Sequence, residues 1–249
     1  MTLHCRAALA PVLASIAAAG AALQGCATAP VVPPDVRQAI APGGTLRVAV
    51  YAGSPTSMVR AEGSDDLRGV ALDVGRELGR RLDVPVQLVI SQRAAEVVED
   101  LKSGRADFTV TNATPARARE VDFTPPLLAL ELGYLALPGS PVQALADVDR
   151  PGVRIGVSQG STSEGVLGQQ LKQARVVPAP NLQAAAQMLQ RREIDAFATN
   201  KAILFELADR LPGSRVLDGR WGLEQLAIAV PKGREAARGY LERFAAEVK

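Results

Sequence analysis

Histidine and cysteine are almost missing from this chain of 249 residues: His4 stands alone, and the only two cysteines are Cys5 and Cys26. His4 and Cys5 both fall within residues 1–25, which hold one basic side chain, Arg6, no acid, and an apolar, Ala-rich run over 7–23. That run is too short for a stable membrane span and reads as a secretory leader. Without the leader the chain has no imidazole and one thiol. This excludes an internal disulfide, a His/Cys metal site and any mechanism built on a histidine base. Neither a metal nor another cofactor is therefore expected. A surplus of one charge is lacking as well, with 28 lysines and arginines against 26 aspartates and glutamates. No basic face large enough for nucleic acid follows from such a balance, so that partner class drops out. There is no internal repeat period.

What is present begins at the leader's end. Leu23-Gln-Gly-Cys26 resembles the bacterial lipoprotein cleavage box, which makes Cys26 the expected lipidation site; an ordinary secretory signal with an incidental cysteine is the alternative. Residues 26–44 are rich in Pro, Ala, Val and Gly and read as a semi-extended tether between a lipid anchor and a folded body. The remainder, roughly 205 residues, is enough for one large or two small domains.

Within it, β-rich runs alternate with helical periodicities. Strands are expected at 46–51, 86–90, 108–111, 153–157, 175–177, 196–199, 215–217 and 226–230. Helices are expected at 71–82, 94–101, 161–173, 181–190, 201–210 and 234–248. Such alternation predicts parallel sheet covered by helices on both faces. Two such units, joined near 132–141 and 219–224, give an α/β fold of two lobes around a cleft. Ligands in such sheets sit beyond the carboxyl ends of the strands.

Two polar loops occupy that position. Thr111-Asn-Ala-Thr-Pro-Ala-Arg117 follows the third strand, and Ser158-Gln-Gly-Ser-Thr-Ser-Glu164 follows the fourth. A guanidinium offers a planar fork to a carboxylate, and Pro115 presets the turn that aims Arg117. Arg119, two positions on, is expected on the surface. Gly160 permits a tight turn, and Ser161 with Glu164 fits a helix-start box whose free N–H groups attract an anion. Thr111, Asn112, Thr114, Ser161 and Thr162 are the accompanying donors, and the solute is a small anion. Glu164 is the one acid expected on the cleft side, with helix capping its plainer role.

The order of motifs Gly44-Thr-Leu-Arg-Val48, Gly69-Val-Ala-Leu-Asp73, Leu101-Lys-Ser-Gly-Arg-Ala-Asp107, Thr114-Pro-Ala-Arg117, Val121-Asp-Phe-Thr124, Gly156-Val-Ser-Gln-Gly-Ser-Thr-Ser-Glu164 and Ile194-Asp-Ala196 resembles the extracellular solute-binding proteins of family 3, the polar amino-acid receptors of bacterial ABC importers. The resemblance runs from Thr45 to about Val248. It implies a two-lobed, type II periplasmic-binding clamshell with a hinged cleft, lobe 1 taking 45–136 plus 223–249 and lobe 2 taking 137–222. It also implies a periplasmic receptor of a small anion or amino acid, partnered by permease subunits in the inner membrane and held to a membrane by its lipid. Residue by residue, Arg117 matches the arginine that clamps the ligand carboxylate. Ser161 and Thr162 match its second-lobe donors, Thr111 and Asn112 the polar end of the first-lobe strand, and Tyr51 a ligand-facing side chain.

Two departures stand out. The loop before Thr114 is about two residues shorter than is usual, which leaves Thr114's contact open. Asn200 stands where the family usually has an aspartate for the ligand ammonium, and Lys201 beside it makes the local field more positive. An amino acid held differently and an organic acid without an amine both fit that change. On the same fold a ligand-sensing receptor and a periplasmic dehydratase-like enzyme are the competing functions. The lack of a histidine, and of a carboxylate in 200–204, argues against the enzyme.

Overall fold

The computed structural model describes residues 32–249 apart from 61 and 62. The leader (1–25) and Cys26 lie outside the described residues. In chain order come α1 (Pro34–Ile40), β1 (Leu46–Tyr51), β2 (Val59–Arg60), β3 (Leu67–Arg68), α2 (Val70–Leu82) and β4 (Val86–Ser91). Then follow α3 (Ala94–Lys102), β5 (Thr109–Asn112), α4 (Pro115–Ala118), β6 (Val121–Phe123) and β7 (Leu128–Ala136). The rest comprises β8 (Arg154–Ser158), α5 (Thr162–Gln170), β9 (Arg175–Ala179), α6 (Leu182–Gln190), β10 (Ala196–Asn200), α7 (Lys201–Ala208), β11 (Arg215–Val216), β12 (Gly222–Pro231) and α8 (Glu235–Glu247).

Local chemistry accounts for the best-formed elements. α2 buries Ala71, Leu72, Gly75, Leu78, Gly79 and Leu82 on one stripe and carries Arg76 and Arg80 outside. Gly75 and Gly79 let that stripe lie almost on the sheet. A Cβ at Gly75 would sit 2.8 Å from a Val48 methyl, and one at Gly79 would overlap a Val86 methyl. Asp83, left-handed at φ 53°, ends the helix.

β1 and β4 pair in parallel, and a parallel bridge from Val48 to Phe108 brings β5 alongside β1. β8 pairs in parallel with β9 and with β10. Between these groups the sheet is antiparallel: β12 lies against β5, β6 and β7, and β7 against β10. The all-parallel expectation is thus corrected at the two segments read as joins. Leu128–Ala136 is a nine-residue strand buried on both faces toward its end, so it shows no alternation and its period is silent.

The two parallel groups share one locking device. Arg47 donates from its backbone N–H and its Nε to Asp107 Oδ2, and Arg154 does the same to Asp195 Oδ2. In each case the acid's own N–H returns a bond to the arginine's carbonyl. Asp107 also takes Arg234 Nη2 at 2.7 Å, while Arg234 Nη1 donates to the Ile40 carbonyl. Burial by itself would push the Asp107 carboxyl up, but the bonds from Arg47 and Arg234 outweigh it and hold the group below the usual carboxylate value.

Two further expectations change. The tether of 26–44 does not extend through α1. Val36 and Ile40 are buried in the same cluster as Leu241 and Phe244 of α8, so the segment from Val32 to Ala41 belongs to the core. Composition hides this because the buried side chains, Val32, Val36, Ile40 and Ala41, are spread among prolines and polar residues. The helix expected at 161–173 stops at Gln170, because the Asp149 carboxylate captures the N–H groups of Lys172, Gln173 and Ala174.

Candidate ligand-binding site

The carboxyl ends of β1, β5, β8 and β10 converge with the starts of α3, α5, α6 and α7 around one small cavity. Its volume is about 40 Å³. That is room for a few water molecules and far below the several hundred cubic ångströms that enclose typical ligands. Admission of a solute therefore requires the walls to separate.

The first wall comes from β5 and the turn after it. Thr114 Oγ1 accepts the Arg117 N–H at 3.2 Å and so caps α4, while Pro115 opens that helix. This turn swings the Arg117 side chain back over the strand end. Arg117 Nη1 donates to Thr111 Oγ1 at 2.9 Å and to the Asn112 carbonyl at 3.3 Å. Burial pushes the guanidinium below the usual arginine value, with Tyr51 and Glu224 opposing it; an arginine remains charged nonetheless. Arg119 is exposed, as expected.

The second wall is the start of α5. Gly160 has φ +72°, and a Cβ there would meet the Ala95 methyl at 2.9 Å, so only glycine permits this turn against α3. Ser161 Oγ accepts the Glu164 N–H, and the Glu164 carboxylate takes the Gly160 N–H. Glu164 thus closes the turn, the capping role that was its plainer reading, and does not line the cavity. The walls touch through Asn112 Nδ2, which donates to Thr162 Oγ1 at 3.2 Å, and through Arg93 Nη1, which donates to Gln159 Oε1 at 3.1 Å.

Of the residues singled out from sequence, Tyr51, Thr111, Asn112, Arg117, Ser161, Thr162 and Asn200 all line this cavity. Thr114 does not; its hydroxyl is spent on the helix cap. Lys201 points away, pairing with Glu131 at 2.6 Å, and Arg220 joins the same carboxylate. Lys201 is thus engaged by Glu131 and does not line the cavity beside Asn200.

The residue that sequence reasoning passed over is Glu224. It is 8 % exposed, lines the cavity, and accepts Asn200 Nδ2 at 2.7 Å. Burial pushes its carboxyl up, while the Asn200 bond and the Arg117 charge pull it back. A signal existed: Glu224 is in phase with Leu226, Ile228 and Val230, the inward residues of one strand face. Starting that strand at Leu226 left the acid in a supposed loop.

The whole of this framework, from β1 to the end of the chain, falls within residues 46–249, and over that span the sequence matches the model of the bacterial extracellular solute-binding proteins, family 3. The chain belongs to that family. A lysine/arginine/ornithine-binding periplasmic protein of Escherichia coli is 33% identical over 113 residues, 45% of this chain and 42% of that protein. The ABC transporter glutamine-binding protein GlnH of Bacillus subtilis is 24% identical over 180 residues, 70% of this chain and 64% of that one. The matches thus span less than two thirds of either curated relative. Among solved structures, an ancestral arginine-binding protein bound to glutamine is 26% identical, covers 82% of this chain and 92% of its own, and superposes with a TM-score of 0.72. The family-3 chain therefore has the α/β, two-lobed periplasmic-binding fold. The family is extracellular, and among the described residues no helix is long and apolar enough to cross a membrane.

Proposed function

We propose that this family-3 protein is the substrate-binding receptor of an ABC importer, capturing a small carboxylate-bearing solute such as an amino acid between its lobes. The observation that carries the reading is the meeting of Arg117 and the α5 start on one cavity, linked through Asn112. Among the described residues the Arg117 side chain uses one nitrogen, Nη1, for both of its bonds. Its remaining N–H groups can fork onto a carboxylate whose other side meets the Thr162 hydroxyl and the first N–H groups of α5. Only the closed form satisfies both sets of donors, so the ligand shifts the population toward closure.

Lobe 1 comprises 45–136 plus 223–249 together with α1, lobe 2 comprises 137–222, and β7 and β12 are the strands that cross between them. Tyr51, Thr111, Asn112, Ser161, Thr162 and Asn200 complete the ligand site. A lipid on Cys26 would hold the receptor at a membrane beside its permease subunits. Binding rather than catalysis is favoured because the relatives are binding proteins by name. The test is a thermal-shift screen of the purified protein against the twenty L-amino acids, succinate, lactate, phosphate and sulfate. Stabilisation by carboxylates alone is expected, about 2.7 kcal/mol at a hundredfold excess over Kd. A response to none of them, or to phosphate and sulfate alone, would reject the reading.

A further inference from the structure

Resting on that reading, we propose that Glu224 is the specificity-determining counter-ion of the site: it requires a protonated amine on the solute, and Asn200 is its positioning residue. Among the described residues the cavity carries one guanidinium, from α4, and one carboxyl, from β12. The carboxyl belongs to the inward face of β12, set by the register that pairs Leu226 with Asn112 and Glu224 with Leu130. A buried carboxyl is stable when paired, and costly otherwise. Among the described residues, Glu224 has no lysine or arginine in ion-pair contact, and its hydrogen bond comes from the neutral Asn200 Nδ2. Lys201, the nearest cation in sequence to Asn200, is committed to Glu131.

One Glu224 oxygen is fixed by Asn200 and the carboxyl faces the cavity, which gives a solute cation an acceptor it need not reorganise. Asn200 is itself fixed from behind: its Oδ1 accepts the Ile203 N–H at 3.1 Å, capping α7, so the amide's Nδ2 must face Glu224. The cavity's acid is thereby supplied from β12, one of the two antiparallel strands between the parallel groups. A solute with a carboxylate alone would bring its charge toward Arg117 and leave Glu224 without a partner. A zwitterion satisfies both.

The experiment uses isothermal titration of the purified protein with the L-amino acid that gives the largest thermal shift and with its 2-hydroxy-acid counterpart, for wild type, Glu224→Gln and Arg119→Ala. For wild type the amino acid should bind at least about 30-fold more tightly than the hydroxy acid. Glu224→Gln should remove most of that preference by weakening the amino acid, with the hydroxy acid held as before or better. Arg119→Ala should leave the preference intact. Should Glu224→Gln not fold, the wild-type ratio decides: equal affinity for the two acids overturns the proposal. Equal weakening of both ligands by Glu224→Gln also overturns it, while leaving the receptor reading standing. Absence of binding by every amino acid and hydroxy acid overturns the receptor reading and this proposal together. For Asn200, an Asn200→Asp variant keeps an oxygen to cap α7 but sets a second acid against Glu224. The amino-to-hydroxy ratio should then change, and unfolding stability near neutral pH should fall because two buried carboxyls meet where a donor stood; an unchanged ratio removes Asn200 from the positioning role.

Discussion

Replacing Arg117 by alanine is the perturbation on which the receptor reading depends most. In the structure Nη1 is engaged by Thr111 Oγ1 and the Asn112 carbonyl, while Nε and Nη2 have no acceptor among the described residues. A carboxylate gripped by those nitrogens is desolvated on binding, since the cavity around it is small and closed by the Asn112–Thr162 contact. Truncating one partner of such a buried charge pair costs about 2–5 kcal/mol, or roughly 30- to 5,000-fold in Kd. Arg117→Lys keeps a charge but loses the planar fork, so a loss of about tenfold is expected. Arg119→Ala, at an exposed position, should stay within about twofold. Stability should move little, because Arg117→Ala loses bonds worth about 1 kcal/mol each but also removes a cation that burial disfavours. Isothermal titration with the solute found in the screen, alongside urea unfolding, separates the two effects. Equal losses from Arg117→Ala and Arg119→Ala, or an Arg117→Ala variant within about threefold of wild type, would refute the assignment of the clamp.

Three other outcomes concern buried groups. Burial raises the Glu224 pKa on folding, so the associated stability is fully present below the unfolded carboxylate value and is lost as pH rises through the folded one. Glu224→Gln should accordingly raise the urea midpoint of the unliganded protein near neutral pH, with the gain fading at about pH 4; a gain that grows on acidification would contradict this. Asp107→Asn leaves Arg47 and Arg234 without their buried partner and should cost about 3–5 kcal/mol in urea unfolding, whereas Asp195→Asn, whose Arg154 partner is 38% exposed, should cost only about 1 kcal/mol. Ile40→Ala in α1 should cost about 2–5 kcal/mol as a core truncation, and a change near zero would restore the tether for that segment.

Much of the fold was legible because it is written in local periods. The stripe of α2 and the β-rich runs of β1, β4 and β8 declare themselves over five to thirteen residues. The candidate site was legible for a related reason: Pro115, Gly160 and the Ser161–Glu164 spacing are backbone instructions, and the polar side chains beside them follow strand ends. What failed were the elements whose identity depends on remote partners. β7 has no alternation because it is covered on both faces, α1 is placed by a few buried side chains in the cluster it shares with α8, and α5 is cut short by an aspartate twenty-three residues upstream of Lys172.

The chain's own order of residues determined that parallel strand–helix units would form, that histidine and thiol chemistry were closed to the body of the protein, and that a guanidinium would follow a helix-opening proline. Those are properties of composition and of short windows, in which each residue's neighbours are fixed by the backbone. Which charges would face one another was decided by packing alone. Glu224 reaches Asn200 across twenty-four residues, Lys201 turns to Glu131 across seventy, and Asn112 spans fifty to Thr162. Coulomb and hydrogen-bond energies act over a few ångströms in space whatever the distance along the chain, so an acid in β12 could become part of the pocket only once antiparallel register set it there.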